Sequence, residues 1–349
     1  CKKSNKTKAW LYKETSCLII DHAEPNITIS SLKRVDSPKR PLAQWQRDAL
    51  VGLIILFIFI GCGYYVQTRG RVRHGSLSRM ITDHSNLFAP INCLYYASSS
   101  VQNTPYLSSD QFPELRIFED NWETIKQEAL ALNENSHIRA SNKLNDVGFN
   151  SFFKTGWKRF YLKWYETALP SASDLCPETV KLIESVDSVK AGMFAMLPSG
   201  SRLVKHRDPY AGSLRYHLGL VTANSPDCFI SVDGEEYHWK DGEAILFDET
   251  FIHFAENKSK VDRIILFLDV KRPVGSILID KFNQFFSQTF MAASTTENLP
   301  GDRVGLINKA FSQVYKIRLI GKKIKKFNVP LYYFLTYSLY AALGYILFF

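Results

Sequence analysis

Between residues 190 and 270 the chain runs in short apolar stretches of alternating pattern, each broken by a turn signal. KAGMFAML is followed by Pro198-Ser199-Gly200, LRYHLGLV by Asn224-Ser225-Pro226, CFISV by Asp233-Gly234 and EEYHW by Asp241-Gly242. EAILF then runs into Asp248, and FIHFAEN and DRIILFLDV complete the series. Asp-Gly between such runs is a hairpin signal, because both turn positions accept positive φ. Six or seven short strands within about 80 residues predict an antiparallel sandwich or barrel, most simply a jelly roll. Period two then assigns faces. Arg215 and His217 share one face of the 214–220 run, with Leu214, Tyr216, Leu218 and Leu220 on the other; Arg263 shares a face with Ile265, Phe267 and Asp269. Charged and imidazole groups turned into a small barrel are costly unless something pairs with them.

Outside this region the period changes. In residues 112–132, Trp122, Ile125, Ala129 and Leu132 fall at helical spacing behind Asp120 or Asn121 as a cap. Residues 135–175 are rich in aromatics, and Pro177 opens a second helix, ETVKLIESV. Residues 303–326 mix basic and apolar positions at helical period, which suits a helix on a membrane surface or one packed on the barrel. Two strongly apolar runs, 49–66 and 327–349, carry no charge. Runs of about 18 or more such residues are candidates to span a membrane, the alternative being a buried core helix.

The net charge of +9 is concentrated beside these two runs. Arg69, Arg71, Arg73 and Arg79 follow the first; Lys316, Arg318, Lys322, Lys323, Lys325 and Lys326 precede the second. Basic residues flanking a span favour the cytoplasmic side, so the segment between the runs is expected there. The charge hugs apolar runs and no nucleic-acid motif appears, which argues against a nucleic-acid partner. Six scattered cysteines without a C-x-x-C pair argue against a zinc–thiolate site and against a disulfide scaffold.

The candidate chemistry lies in His206-Arg207-Asp208, in His253, and in Arg263. Two imidazoles and a carboxylate are the set that holds Fe(II) on one face, leaving three coordination positions for a cosubstrate and dioxygen. H-x-D alone is a weak signal, the alternative being a turn histidine at His206 paired with Asp208. Its position after one strand, with His253 in a late strand and Arg263 opening the next, is the order of a jelly-roll iron site. An arginine there suits a dicarboxylate cosubstrate. Arg215 and His217 are cosubstrate contacts or core residues with backbone partners. His238, Asp241 and Asp248 look like turn residues. His22, His74, His84 and His137 carry no motif.

FPELRIFEDNWETI, GWKRFYLKWY, HRDPYAGSLRYHLGL, DGEAILFDETFIHFAEN and DRIILFLDV resemble the aspartyl/asparaginyl β-hydroxylase family, nearest to the bacterial branch that hydroxylates lipid A acyl chains. The resemblance covers about residues 67–275. It implies a mainly β fold with flanking helices: a double-stranded β-helix (jelly roll, cupin-like) with one or two terminal transmembrane helices. By position it implies His206, Asp208 and His253 as catalytic iron ligands and Arg263 as partner of the distal carboxylate of 2-oxoglutarate. Arg215, His217 and Trp157 match positions that line the cosubstrate pocket in the peptide-hydroxylating branch. A pocket serine of that branch falls at Ala195 here, and its glycine falls at Asp208, so the full triad favours the lipid branch.

The expected organisation is an extension of unknown role (1–48), a transmembrane helix (49–66), a basic juxtamembrane segment (67–105), an Fe(II)/2-oxoglutarate dioxygenase domain (106–275), a basic helical segment (276–326) and a C-terminal membrane segment (327–349). The expected substrate is lipid A or its precursor, hydroxylated at the 2-position. Membrane lipids are the other expected partner, with no obligate protein partner, and the catalytic domain faces the cytoplasm from the inner membrane. The alternatives are a peptidyl aspartyl/asparaginyl hydroxylase and a metal-binding jelly roll without activity.

Overall fold

The computed structural model of the chain describes residues 10–13, 16–19, 42–140, 146–165 and 167–348. Most of the extension expected at residues 1–48 lies outside them. The chain divides into two units, Cys1–Ile60 and Gly61–Phe349. In the first, strands β1 (Trp10–Lys13) and β2 (Ser16–Ile19) pair antiparallel. A long helix, Leu42–Thr68, carries the first apolar run. Among the described residues one helix, Ala49–Thr68, is long and apolar enough to cross a membrane. The second apolar run is also helical, Val329–Phe348.

Eleven strands build the second unit: β3 (Tyr106–Leu107), β4 (Lys158–Trp164), β5 (Thr167–Ala168), β6 (Val189–Leu197), β7 (Arg202–His206), β8 (Ser213–Val221), β9 (Cys228–Val232), β10 (Glu235–His238), β11 (Ala244–Phe247), β12 (His253–Asn257) and β13 (Arg263–Lys271). They form a seven-stranded sheet, β3-β11-β8-β13-β6-β4-β5, and a four-stranded sheet, β10-β9-β12-β7. From β6 to β13 the chain passes back and forth between the sheets, which is jelly-roll order.

Local chemistry explains several turns. Asp233 and Gly234 take φ of 52° and 89°, the doubly positive backbone that a two-residue hairpin between β9 and β10 requires. At Gly219 a Cβ would stand 2.1 Å from the Lys240 carbonyl oxygen, so only glycine lets β8 approach that turn.

The large sheet is covered on its outer face. Helix Trp122–Glu134 buries Ile125, Ala129 and Leu132, and Phe118 meets Tyr216 of β8 at 6.0 Å between ring centres. β8 is therefore buried on both faces. Its apolar residues pack outward under the helices, which leaves Arg215 and His217 for the interior between the sheets. Helix Pro177–Glu184 starts at its proline, and its first turn is capped from a neighbour: Glu128 accepts from the backbone amides of Glu178 (3.0 Å) and Thr179 (2.8 Å).

Two strands that build the sheets around the cavity have no counterpart in the sequence pattern. β7, RLVKH, lacks an apolar run and is mostly exposed; its pairing with β12 makes it a strand. β4, in the aromatic stretch, extends the large sheet beside β6. The carboxamide of Asn298 pairs with the Tyr161 backbone of β4, accepting from its amide and donating to its carbonyl, both at 2.8 Å.

Candidate metal centre

His206 ends β7 and His253 begins β12, and the two are direct cross-strand partners. Their rings lie 4.2 Å apart between centres. Asp208 follows just past β7, where its amide donates to the Glu249 carbonyl at 2.9 Å. Nδ1 of His206 is 2.7 Å from the Val204 carbonyl and Nδ1 of His253 is 3.0 Å from that of Phe251. A carbonyl can only accept, so both Nδ1 atoms carry the proton and both Nε2 lone pairs are free. The donor atoms of His206, Asp208 and His253 all fall within 4.8 Å of one another.

Electrostatics keep the three groups in ligating form. Burial, reinforced by the neighbouring His206, drives His253 down to about 3. Burial likewise lowers His206, although Asp208 opposes it. Burial alone would raise Asp208, but Arg215, His253 and His206 outweigh it and hold the carboxyl at about 2. At neutral pH the site therefore presents two neutral imidazoles and one carboxylate, the donor set suited to a divalent first-row metal.

Behind Asp208 runs a buried chain of charged groups. Arg215 donates to Asp208 and to Asp269, both at 2.8 Å, and its guanidinium lies 3.8 Å over the Phe267 ring. The Tyr165 hydroxyl completes it, donating to Asp269 at 3.1 Å. Arg215 thus lines the cavity while its guanidinium orients the Asp208 carboxylate.

The same cavity contains Arg263, His217 and Trp157. Arg263 is 2% exposed, and its guanidinium carbon sits 4.3 Å from the Trp239 ring centre. No carboxylate among the described residues pairs with it, and its Nε has no hydrogen-bond partner. Burial lowers its pKa to about 10. His217 packs among Phe247, Phe267 and Trp239, with neither ring nitrogen hydrogen-bonded; burial first, then Arg215, Arg263 and His253, press it well below its usual range. Trp157 stacks on Phe149 at 4.8 Å. Ala195 also lines the wall, with a methyl group and no hydroxyl. A buried cation beside a buried imidazole, both without partners among the described residues, is a fit for an anionic ligand.

Other residues at the site carry no sequence signal. Asn92, on helix Ala89–Ser98, brackets the backbone after Asp208: it donates to the Pro209 carbonyl at 2.8 Å and accepts from the Ala211 amide at 2.9 Å. Arg207, between His206 and Asp208, is buried; it donates to the Val66 carbonyl near the end of the long helix and lies 3.8 Å from Asp83. Asp83 in turn meets His74 at 2.5 Å. Arg69, expected in a surface cluster, is enclosed between Tyr96 and Phe251 at 3.9 Å from each ring centre, with Asp248 at 2.7 Å. Asp248, read from the sequence as a turn residue, is fully buried and also holds Arg272 at 2.9 Å.

Residues 119–273, which contain the whole cavity, match the family model described as aspartyl/asparaginyl beta-hydroxylase. The chain is 29% identical over 176 residues to the ornithine lipid ester-linked acyl 2-hydroxylase of Rhizobium tropici, covering 50% of this chain and 63% of that protein. It is 28% identical over 183 residues to the aspartate beta-hydroxylase domain-containing protein 2 of Homo sapiens, covering 49% of this chain and 48% of that protein. The match thus spans less than two thirds of either relative. A solved prolyl-4-hydroxylase from Pseudomonas putida aligns with a TM-score of 0.31 at 12% identity, covering 52% of this chain and 99% of that one.

Proposed function

Taking residues 119–273 as an aspartyl/asparaginyl β-hydroxylase domain, we propose that the protein is an Fe(II)- and 2-oxoglutarate-dependent dioxygenase that hydroxylates an acyl chain of lipid A at the carbon next to its carbonyl. The observation that carries this reading is one cavity holding two features: three groups that could face a metal, with their donor atoms free, and a buried arginine without an acid partner among the described residues.

His206, Asp208 and His253 would hold the metal. Fe(II) with 2-oxoglutarate and dioxygen supplies the oxidant for an unactivated C–H bond, the cosubstrate leaving as succinate and CO2. The chain's own residues do the rest. Arg215 keeps Asp208 ionised and aimed. Arg263 offers the planar fork that matches a carboxylate bidentately, in a site too apolar for water to compete. Phe149, Trp157, Ile265 and Phe267 make the wall that excludes solvent.

A lipid substrate is supported by the acyl 2-hydroxylase activity named for the R. tropici relative, by the apolar helix Ala49–Thr68, and by the basic helix Leu306–Phe327. In the latter, Val314, Ile317 and Ile320 are exposed among lysines, as on a helix lying at an anionic membrane surface. The basic residues beside both apolar runs support a location on the cytoplasmic face of the inner membrane.

The test is mass spectrometry of membrane lipids from cells with the protein, without it, and with His253→Ala. One added oxygen in lipid A that requires His253 supports the reading. The same shift in an ornithine lipid moves the substrate. Hydroxylated Asp or Asn in a peptide, with unchanged lipids, hands the function to the peptidyl reading that the family name favours.

A further inference from the structure

Two helices outside the sheets flank the last turns of the apolar helix. Cys93 Sγ, on helix Ala89–Ser98, is 3.9 Å from the Cys62 carbonyl. In the turn before that helix, Asn86 accepts from Gln67 at 3.0 Å, and its Oδ1 would lie 3.5 Å from a Cβ placed on Gly63. Cys62 precedes Thr68 by about 9 Å along the axis at 1.5 Å per residue. Helix Ala89–Ser98 is therefore level with the interior of the apolar run, not with its end.

Helix Ile277–Phe286 joins it at the same level. Phe286 meets Phe88 edge to face at 5.8 Å and stacks on Phe290 at 4.9 Å. The inward faces of these helices are buried in a cluster of Val66, Ala89, Tyr95, Tyr210 and Phe286. On these helices and the turns adjoining them, large apolar side chains are bare: Leu87 is 70% exposed, Leu94 51%, Ile277 77%, Leu278 78%, Phe285 58% and Phe290 53%. Contiguous exposure of this kind marks an interaction surface.

We propose that this apolar collar is immersed in the same bilayer leaflet as the end of the span, with lipid acyl chains as its partner. The inference rests on the membrane reading above and deepens it. Any medium that reaches Cys62 along the helix also reaches Leu94 and Leu87 beside it, which is why the occupant is lipid and not water or a second protein. Lys281, exposed on the same helix as Leu278 and Phe285, has a stem long enough to carry its ammonium to the headgroups. The consequence is a fixed depth for the catalytic site. Arg207, between the two ligands His206 and Asp208, donates to the Val66 carbonyl, so the ligand loop stands at the level where the span ends. That level is the headgroup plane, where the first carbons of an acyl chain lie, and not the bilayer centre where its methyl end lies.

The experiment uses the full chain in phosphatidylethanolamine/phosphatidylglycerol nanodiscs with a photoreactive residue introduced singly: Leu278→p-benzoylphenylalanine, Phe285→p-benzoylphenylalanine, Ile55→p-benzoylphenylalanine inside the run, and Val261→p-benzoylphenylalanine in the turn between β12 and β13. Irradiation should add the mass of one lipid at 278 and 285 as it does at 55, and none at 261. Lipid adducts at 55 with none at 278 or 285 overturn the collar while leaving the span intact, as do crosslinks from 278 or 285 to a second chain. No adduct even at 55 overturns the membrane reading and the collar with it.

Discussion

Arg263→Met should stabilise the protein and abolish its response to 2-oxoglutarate. Among the described residues Arg263 is a buried cation without an acid partner, and burial lowers its pKa to about 10. A base with a lowered folded pKa binds its proton less well folded than unfolded. The penalty is therefore fully present below pH 10 and disappears only as pH climbs towards the unfolded value. That lowering costs on the order of 3 kcal/mol at about 1.4 kcal/mol per pKa unit. Methionine removes that penalty but forfeits the contact with Trp239 at 4.3 Å, a cation–π interaction of about 1–2 kcal/mol. The net gain is on the order of 1–2 kcal/mol, a rise of roughly 2–8 °C in Tm for a domain of this size. The assay is thermal unfolding in detergent with Mn(II), which suppresses turnover, with and without 2-oxoglutarate. Wild type should gain about 2.7 kcal/mol at a hundredfold excess of cosubstrate over Kd, and the variant nothing. A variant that melts below wild type without cosubstrate, or that still responds to it, refutes the reasoning.

Other perturbations probe the site from different sides. Arg215→Met strands Asp208 and Asp269 without their shared cation; stability should fall by about 3–5 kcal/mol and Co(II) affinity by roughly 10–100-fold, and unchanged affinity in a metal titration would break the link between Arg215 and the ligand set. His253 is held at about 3, whereas an unfolded imidazole titrates near 6.5, so the unfolded metal-free chain takes up protons that the folded one refuses. Denaturation should show stability falling between pH 7 and 5, by up to about 1.4 kcal/mol per pH unit for this group; His253→Gln should make that slope shallower, and an equal slope would count against the assignment. Asp208, held at about 2, gives stability that is lost only below the normal carboxylate range and does not enter this window. Asn92→Ala leaves the Pro209 carbonyl and Ala211 amide without their partner, which should lower stability by about 1–3 kcal/mol and weaken Co(II) binding; neither change occurring would show that the bracket is idle.

Features that the backbone repeats locally are legible in the order of residues. Alternation with period two placed Arg215 and His217 on one face of β8 and Arg263 with Ile265 and Phe267 on one face of β13, and all five line the cavity. Asp233-Gly234 announced its hairpin because few other pairs accept two positive φ values. Helical spacing from Trp122 found the helix that covers β8. Each of these follows from geometry within a few residues. The tertiary structure alone decided pairings that reach across the chain. RLVKH has no strand pattern, and it carries His206 into the site only because β12 pairs with it. Arg69 reads as one more surface charge beside an apolar run, yet it is buried against Asp248, 179 residues away. Asn92 looks like any helix polar residue until Pro209 and Ala211 close on it. The physical reason is common to all three: an ion pair or hydrogen bond gains its strength from desolvation and short distance, and neither leaves a trace in the order of residues.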